Sequence, residues 1–169
     1  IVLVESPLGD YRAAPVLDAV ARLAPGKPLR FLINSHSHFD HSGGVRAAVA
    51  AGATVIAQEG SKAYFERAFA TRGRILPDLL TKSGRKAKLR TVKDKLTLSD
   101  GSRTLDVHRI AGGNHVTTFL MVHLPKERLL IEADAYTPIA PGAKPPATPN
   151  ANNVNLIENL ERLKLAGDR

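Results

Sequence analysis

The run Asn34-Ser35-His36-Ser37-His38-Phe39-Asp40-His41-Ser42-Gly43-Gly44 places three imidazoles and one carboxylate within six positions. It follows the short apolar stretch Leu29 to Ile33, which reads as a strand, and runs into Ser42 to Ala50, which reads as a helix. In an extended segment, side chains two apart point to the same side, so His36 and His38 can bind one cation together. Asp40 and His41 come where the chain turns, and they can face a second cation. Neutral imidazole and carboxylate are the ligands Zn²⁺ takes where thiolate is missing, and this chain has no cysteine. Gly43 and Gly44 lack the Cβ that would obstruct close backbone approach beside such a loop. A set of unrelated surface histidines is the bland alternative; strand, ligand spacing, glycines and helix together favour a metal site.

Upstream, Ile1 to Val4 reads as a buried strand ended by Pro7 and Gly9. Asp10 is expected to cap a helix running to Leu23, with Val16, Leu17, Val20 and Leu23 at helical spacing, and Pro25-Gly26-Lys27-Pro28 stops it. Strand, helix and strand imply a parallel crossover. Downstream, Thr54 to Ala57 predicts a strand and Glu59 to Phe69 a helix. The stretch Thr71 to Arg90 has weak periodicity and reads as an insert or loop over one edge. Strand-like runs at Lys95 to Leu98, Thr104 to Ile110, Thr117 to Leu124 and Arg128 to Ile131 predict a second, more antiparallel sheet. Pro138 to Pro149, with five prolines, reads as an extended loop, and Val154 to Leu165 as an amphipathic helix carrying Leu156, Leu160 and Leu163.

A chain of 169 residues, 43% of them apolar, calls for one domain, and we expect residues 1–169 to form one. Aromatics make up only 5% and Trp is absent, so the core rests on aliphatic side chains, which favours α/β layering. No apolar run is long enough for a membrane span. The chain opens at Ile1, inside an apolar run rather than at Met, so we expect sequence to precede it, a signal peptide being one candidate. Absence of cysteine is compatible with any compartment. Net charge is +8, and from Arg72 to Lys95 nine Lys or Arg face two Asp. A solvated basic segment is the commoner reading of such a run, and a patch for an anionic partner such as nucleic acid the functional one.

His36-x-His38-x-Asp40-His41 resembles the H-x-H-x-D-H signature of the metallo-β-lactamase superfamily, and the preceding strand and following Gly-Gly sit where that family has them. The family's later pattern is a histidine on a loop, a strand, a Leu-Pro turn, another strand and an acidic residue. Here His115, Phe119 to Leu124, Pro125, Leu129 to Ile131 and Asp134 follow in that order. The resemblance implies a four-layer αββα sandwich, with His36, His38 and His115 on one metal, Asp40 and His41 on the other, and Asp134 bridging. It implies two Zn²⁺, with iron or manganese as alternatives, and a small-molecule substrate. Water between two such ions has its pKa lowered from 15.7 to about 7, and Asp40 would hold it for attack.

This chain departs from the family in having Ala133-Asp134 where Gly-Asp is usual, in lacking a histidine beyond His123 for the final metal ligand, and in lacking the first strand or strands. It therefore reads as a partial family domain, incomplete at both ends. His108 and His123, each in a strand-like run, read as surface or satisfied residues rather than ligands. His115 differs because Gly112-Gly113-Asn114 precede it, which suits a loop that brings a ligand inward. The leading functional expectation is hydrolysis of an ester, lactone, thioester or amide. Phosphodiester or nucleic-acid cleavage, a metal-binding but inactive scaffold, and iron-dependent oxygen chemistry are the alternatives.

Overall fold

Aliphatic runs with little polar interruption make strands buried on both faces, as in the two central strands of the first of two sheets, whereas its last strand alternates Lys88, Arg90 and the more buried Leu89 and Val92. This sheet contains β1 (Val2–Val4), β2 (Phe31–Ile33), β3 (Thr54–Gln58) and β4 (Lys88–Val92), in that order. β1 and β2 pair in parallel with Val2 opposite Phe31, and β2 and β3 in parallel with Phe31 opposite Thr54. These are the contacts of a computed structural model that describes residues 1–73 and 75–165. The chain divides into two compact units, Ile1–Thr91 and a second from Val92 onward.

In the first unit, α1 (Asp10–Leu23) connects β1 to β2 as the crossover reading requires. The predicted helix at 42–50 is broken into α2 (Phe39–Ser42) and α3 (Val45–Ala50), with Gly43 and Gly44 between. A Cβ on Gly43 would lie 2.6 Å from the Leu8 carbonyl oxygen, and one on Gly44 2.7 Å from Ser6 Oγ. The glycines therefore admit the loop that follows β1. The core gathers Leu32, Val49, Val55, Phe65 and Leu80, with α4 (Lys62–Ala70) and α5 (Leu79–Ser83) contributing the last two.

Two expectations change here. Asp10 does not cap α1: the residue before the helix is Gly9, and Asp10 Oδ2 instead accepts from Leu79 N at 2.7 Å, at the start of α5. The basic segment is not only loop, since it contains α5 and β4, with Ala87 and Leu89 packed on the core. Arg46 explains part of this order. Its guanidinium pairs with Asp78, reaches Thr81 Oγ1 at 3.1 Å and donates to the Ala68 carbonyl at 2.5 Å, joining α3 to α4 and α5. Asp78 also caps α5 by accepting from Thr81 N at 2.8 Å.

The second unit holds an antiparallel sheet in the order β5 (Lys95–Ser99), β6 (Thr104–Ile110), β7 (Phe119–Leu124) and β8 (Leu129–Ile131). Consecutive strands pair antiparallel, as the sequence predicts, with β6 and β7 joined by the longer loop 111–118. α6 (Ala151–Leu163) begins three residues before its predicted start, with the Asn150 side chain accepting from Asn152 N at 2.8 Å. Its Leu156 packs with Ile110, Phe119, Met121 and Ala135. The class is mixed α/β with two sheets and helices, as expected. Among the described residues no helix is long and apolar enough to cross a membrane.

Candidate metal centre

Parallel strands release their following loops at the same sheet edge, so the ends of β1 and β2 bring Glu5 beside Asn34 and Ser35. Ser35 N donates to Glu5 Oε1 at 2.7 Å, and Asn34 Nδ2 donates to the His41 carbonyl at 3.0 Å, closing the loop on itself. Within it, His36 Nδ1 lies 2.8 Å from Ser35 Oγ, which turns Nε2 toward His38 Nδ1, 3.1 Å away. Two nitrogens bound to one tetrahedral zinc at its usual bond length stand about 3.4 Å apart. The pair is thus spaced as a shared cation requires. His36 is buried and His38 exposed, so the cluster opens to solvent on one side.

His41 is oriented from behind as well. Its Nδ1 is 2.6 Å from Glu5 Oε2, leaving Nε2 on the side of Asp40, whose Oδ2 is 3.5 Å away. Its ring centroid is 4.3 Å from that of His36. A carboxylate behind a histidine fixes tautomer and ring orientation and raises ligand basicity. Burial pushes the Glu5 carboxyl above the usual range, while the Ser35 N–H and His41 pull it back down. Glu5 also adopts a left-handed backbone, φ 68°, a conformation that costs about 1 kcal/mol or more in a non-glycine residue. The sequence reading did not single it out. The available signal was a carboxylate directly after a strand parallel to the one feeding the histidines.

In the second unit, His115 Nε2 stands 3.1 Å from Asp134 Oδ2. The loop after β6 is held where it starts: Ala111 N donates to Asn159 Oδ1 at 2.8 Å, and the Ala111 carbonyl accepts from Asn155 Nδ2 and Asn159 Nδ2, both at 2.9 Å. Gly112 then turns with φ 70°. Asp134 is itself left-handed, φ 64°, in a turn where Glu132 Oε2 accepts from Ala135 N at 2.9 Å and Tyr136 N at 3.1 Å. Burial raises the Glu132 carboxyl pKa.

The structure therefore brings together His36, His38, Asp40 and His41 within the first unit, and His115 with Asp134 within the second. Each set consists of imidazole and carboxylate without thiolate, which fits zinc and other borderline divalent ions. His108 and His123 are enclosed rather than at the surface. They are 3% and 6% exposed, and the only described histidine as deeply enclosed is His36, at 1%.

Comparison with known proteins places these features. The family described as the metallo-beta-lactamase superfamily matches residues 4–166. No curated protein matches. Among solved structures, a metallo-beta-lactamase from Pontibacter korlensis is 19% identical, with 98% of this chain and 70% of that one covered at a TM-score of 0.69. TMB-1, whose structure was described for substrate and inhibitor binding, is 16% identical over 98% of this chain and 68% of its own, TM-score 0.67. A mutant flavo di-iron protein from Thermotoga maritima is 19% identical over 79% of this chain and 30% of its own, TM-score 0.58. At such identities the structural likeness concerns the fold.

Proposed function

The chain belongs to the metallo-beta-lactamase superfamily, and we propose that it is a metal-dependent hydrolase cleaving an ester, lactone, thioester or amide bond of a small molecule. In this reading His36, His38, Asp40 and His41 of the first unit would hold metal, and His115 and Asp134 of the second would offer further donors of the same kind. Two divalent ions, zinc first and iron or manganese as alternatives, would supply water acidified to a pKa of about 7 and polarise the scissile bond.

The observation that carries the reading is the 3.1 Å approach of His36 Nε2 to His38 Nδ1, with the rear nitrogen of His36 on Ser35 and that of His41 on Glu5. Rings held from behind present their other nitrogens in a fixed direction, which a solvated histidine cluster does not require. The exposed Asp40 carboxylate is free to accept a hydrogen bond from the attacking water and orient it. Glu5 acts through His41 and is a positioning residue.

The test is metal analysis of the purified chain, followed by assay against an ester, a lactone, a thioester and a β-lactam before and after chelation. Turnover that disappears with chelator and returns with Zn²⁺ is expected. Stoichiometric metal with no turnover on any of the four would overturn hydrolysis in favour of the scaffold reading, and iron with oxygen consumption would favour redox chemistry. Phosphodiester cleavage is the second reading. It is favoured by a depression of about 660 Å³ in the first unit, lined in part by Lys62, Arg72, Arg85 and Lys86. Cleavage of an oligonucleotide that weakens steeply with salt would select it.

A further inference from the structure

The antiparallel register places a second set of donors on one face of the second sheet. Asp106 on β6 lies opposite His123 on β7, and His108 is two residues along from Asp106 on the same face. One ligand atom from each of the three lies within 4.8 Å of the others. All three residues are buried, with Asp106 8% exposed. We propose that Asp106, His108 and His123 form a binding site for a borderline divalent metal ion of the zinc, cobalt or nickel type, separate from the centre at His36 to His41.

His108 gives the strongest reason. It is almost fully enclosed, yet neither Nδ1 nor Nε2 has a hydrogen-bond partner, and Asp106 Oδ2 lies 4.0 Å from Nε2, beyond hydrogen-bonding range. Buried imidazole nitrogens without partners are costly, and a cation is the ligand that satisfies an unprotonated one. Burial, followed by the charge of Lys95, lowers the His108 pKa. Two imidazoles and one carboxylate are an established zinc donor set that leaves a fourth position for water. Hard ions such as Mg²⁺ and Ca²⁺ prefer all-oxygen shells, so this set selects against them.

Geometry requires only modest closure. Donors on a tetrahedral ion stand about 3.4 Å apart, so side-chain rotations of roughly 1 Å bring the three into range. Asp106 is already oriented, since Thr97 Oγ1 donates to its Oδ1 at 2.5 Å. Lys95 Nζ, 3.0 Å from Asp106 Oδ2, occupies the acid from the other side. The Lys95 side chain is about half exposed and can swing into water when a doubly charged ion takes its place. Arg162 on α6 adds positive charge near His108 and opposes cation binding, so affinity rests on coordination rather than on the local field. A bound ion would tie β6 to β7 across the loop that carries His115.

The site can be isolated in the full chain carrying His36→Ala, His38→Ala, Asp40→Ala and His41→Ala, which removes the loop donors for both cations of the first centre. Titration of that variant with Co²⁺, followed by visible absorption and elemental analysis, should show one remaining equivalent. Adding His108→Leu, or separately His123→Gln, should remove it, and Thr97→Val should weaken it about tenfold by freeing the acid. No residual binding in the parent variant, or residual binding indifferent to both histidine changes, would overturn the proposal. If either added change prevents folding, melting of the parent with and without Zn²⁺ decides instead: a metal-dependent rise supports the site and its absence refutes it. The outcome is independent of whether the chain hydrolyses any substrate.

Discussion

The loop cluster of His36, His38 and His41 and the strand cluster of Asp106, His108 and His123 use the same donor types in opposite surroundings. At the loop, which leaves the edge of a parallel sheet, the rear nitrogens of His36 and His41 are occupied by Ser35 and Glu5, and one side opens to solvent. On the face of the antiparallel sheet the imidazoles are enclosed, and the nitrogens of His108 are unpartnered. Chemistry needs donors that substrate and water can reach, whereas a structural ion needs donors that water cannot compete for. Under the two proposals, accessibility more than residue type separates the work of the clusters.

The sharpest way to break this contrast is to remove loop donors. His38→Ala or Asp40→Ala should reduce turnover by about 10²–10⁴-fold or to background. Both side chains are exposed, so the melting temperature should move by no more than about 2–4 °C. A collapse of the fold in either variant would mean that the loop cluster is structural after all. Next in size is Glu5→Gln, which keeps shape but weakens the support behind His41. It should reduce affinity for the metal about 10–100-fold, read by competition with a chelator, and unchanged affinity would remove Glu5 from the site.

Gly44→Ala tests whether backbone proximity builds the loop. The new methyl would meet Ser6 Oγ at 2.7 Å and the Ala13 methyl at 2.8 Å, so urea unfolding should show a loss of about 1–3 kcal/mol. The smallest effect concerns Asp78, which has no part in either cluster. Its hydrogen bonds from Arg46 hold its carboxyl well below the ordinary 3.8. The resulting stability is present above pH 3.8 and drains away as pH falls toward the lower folded value. Asp78→Asn should cost about 1 kcal/mol at neutral pH and make stability less sensitive to acid below pH 3.8, measured by thermal melts across pH.

Much of the loop cluster was legible because its histidines and Asp40 are close in sequence and its strand, turn and helix are set by local pattern. The parallel crossover and the antiparallel second sheet followed from the same kind of pattern. Glu5 was not legible, because its role depends on β1 lying beside β2, a pairing across 29 residues. Asp10 was misread for a related reason: as a helix-start acid it looks like a cap, but Leu79 N, far along the chain, claims it. α5 and β4 hid in a basic segment whose core-packed residues Leu80, Ala87 and Leu89 gain meaning only against the core.

Local spacing and side-chain chemistry alone established the histidine motif, its donor types and the mixed α/β class. Only the tertiary structure decided that Glu5 stands behind His41, that Asn155 and Asn159 hold the start of the His115 loop, and that Asp106, His108 and His123 converge. The reason is range. Helical and strand periodicities act over a few residues, whereas register between strands and burial against a helix depend on partners distant in the chain, whose identity no short window contains.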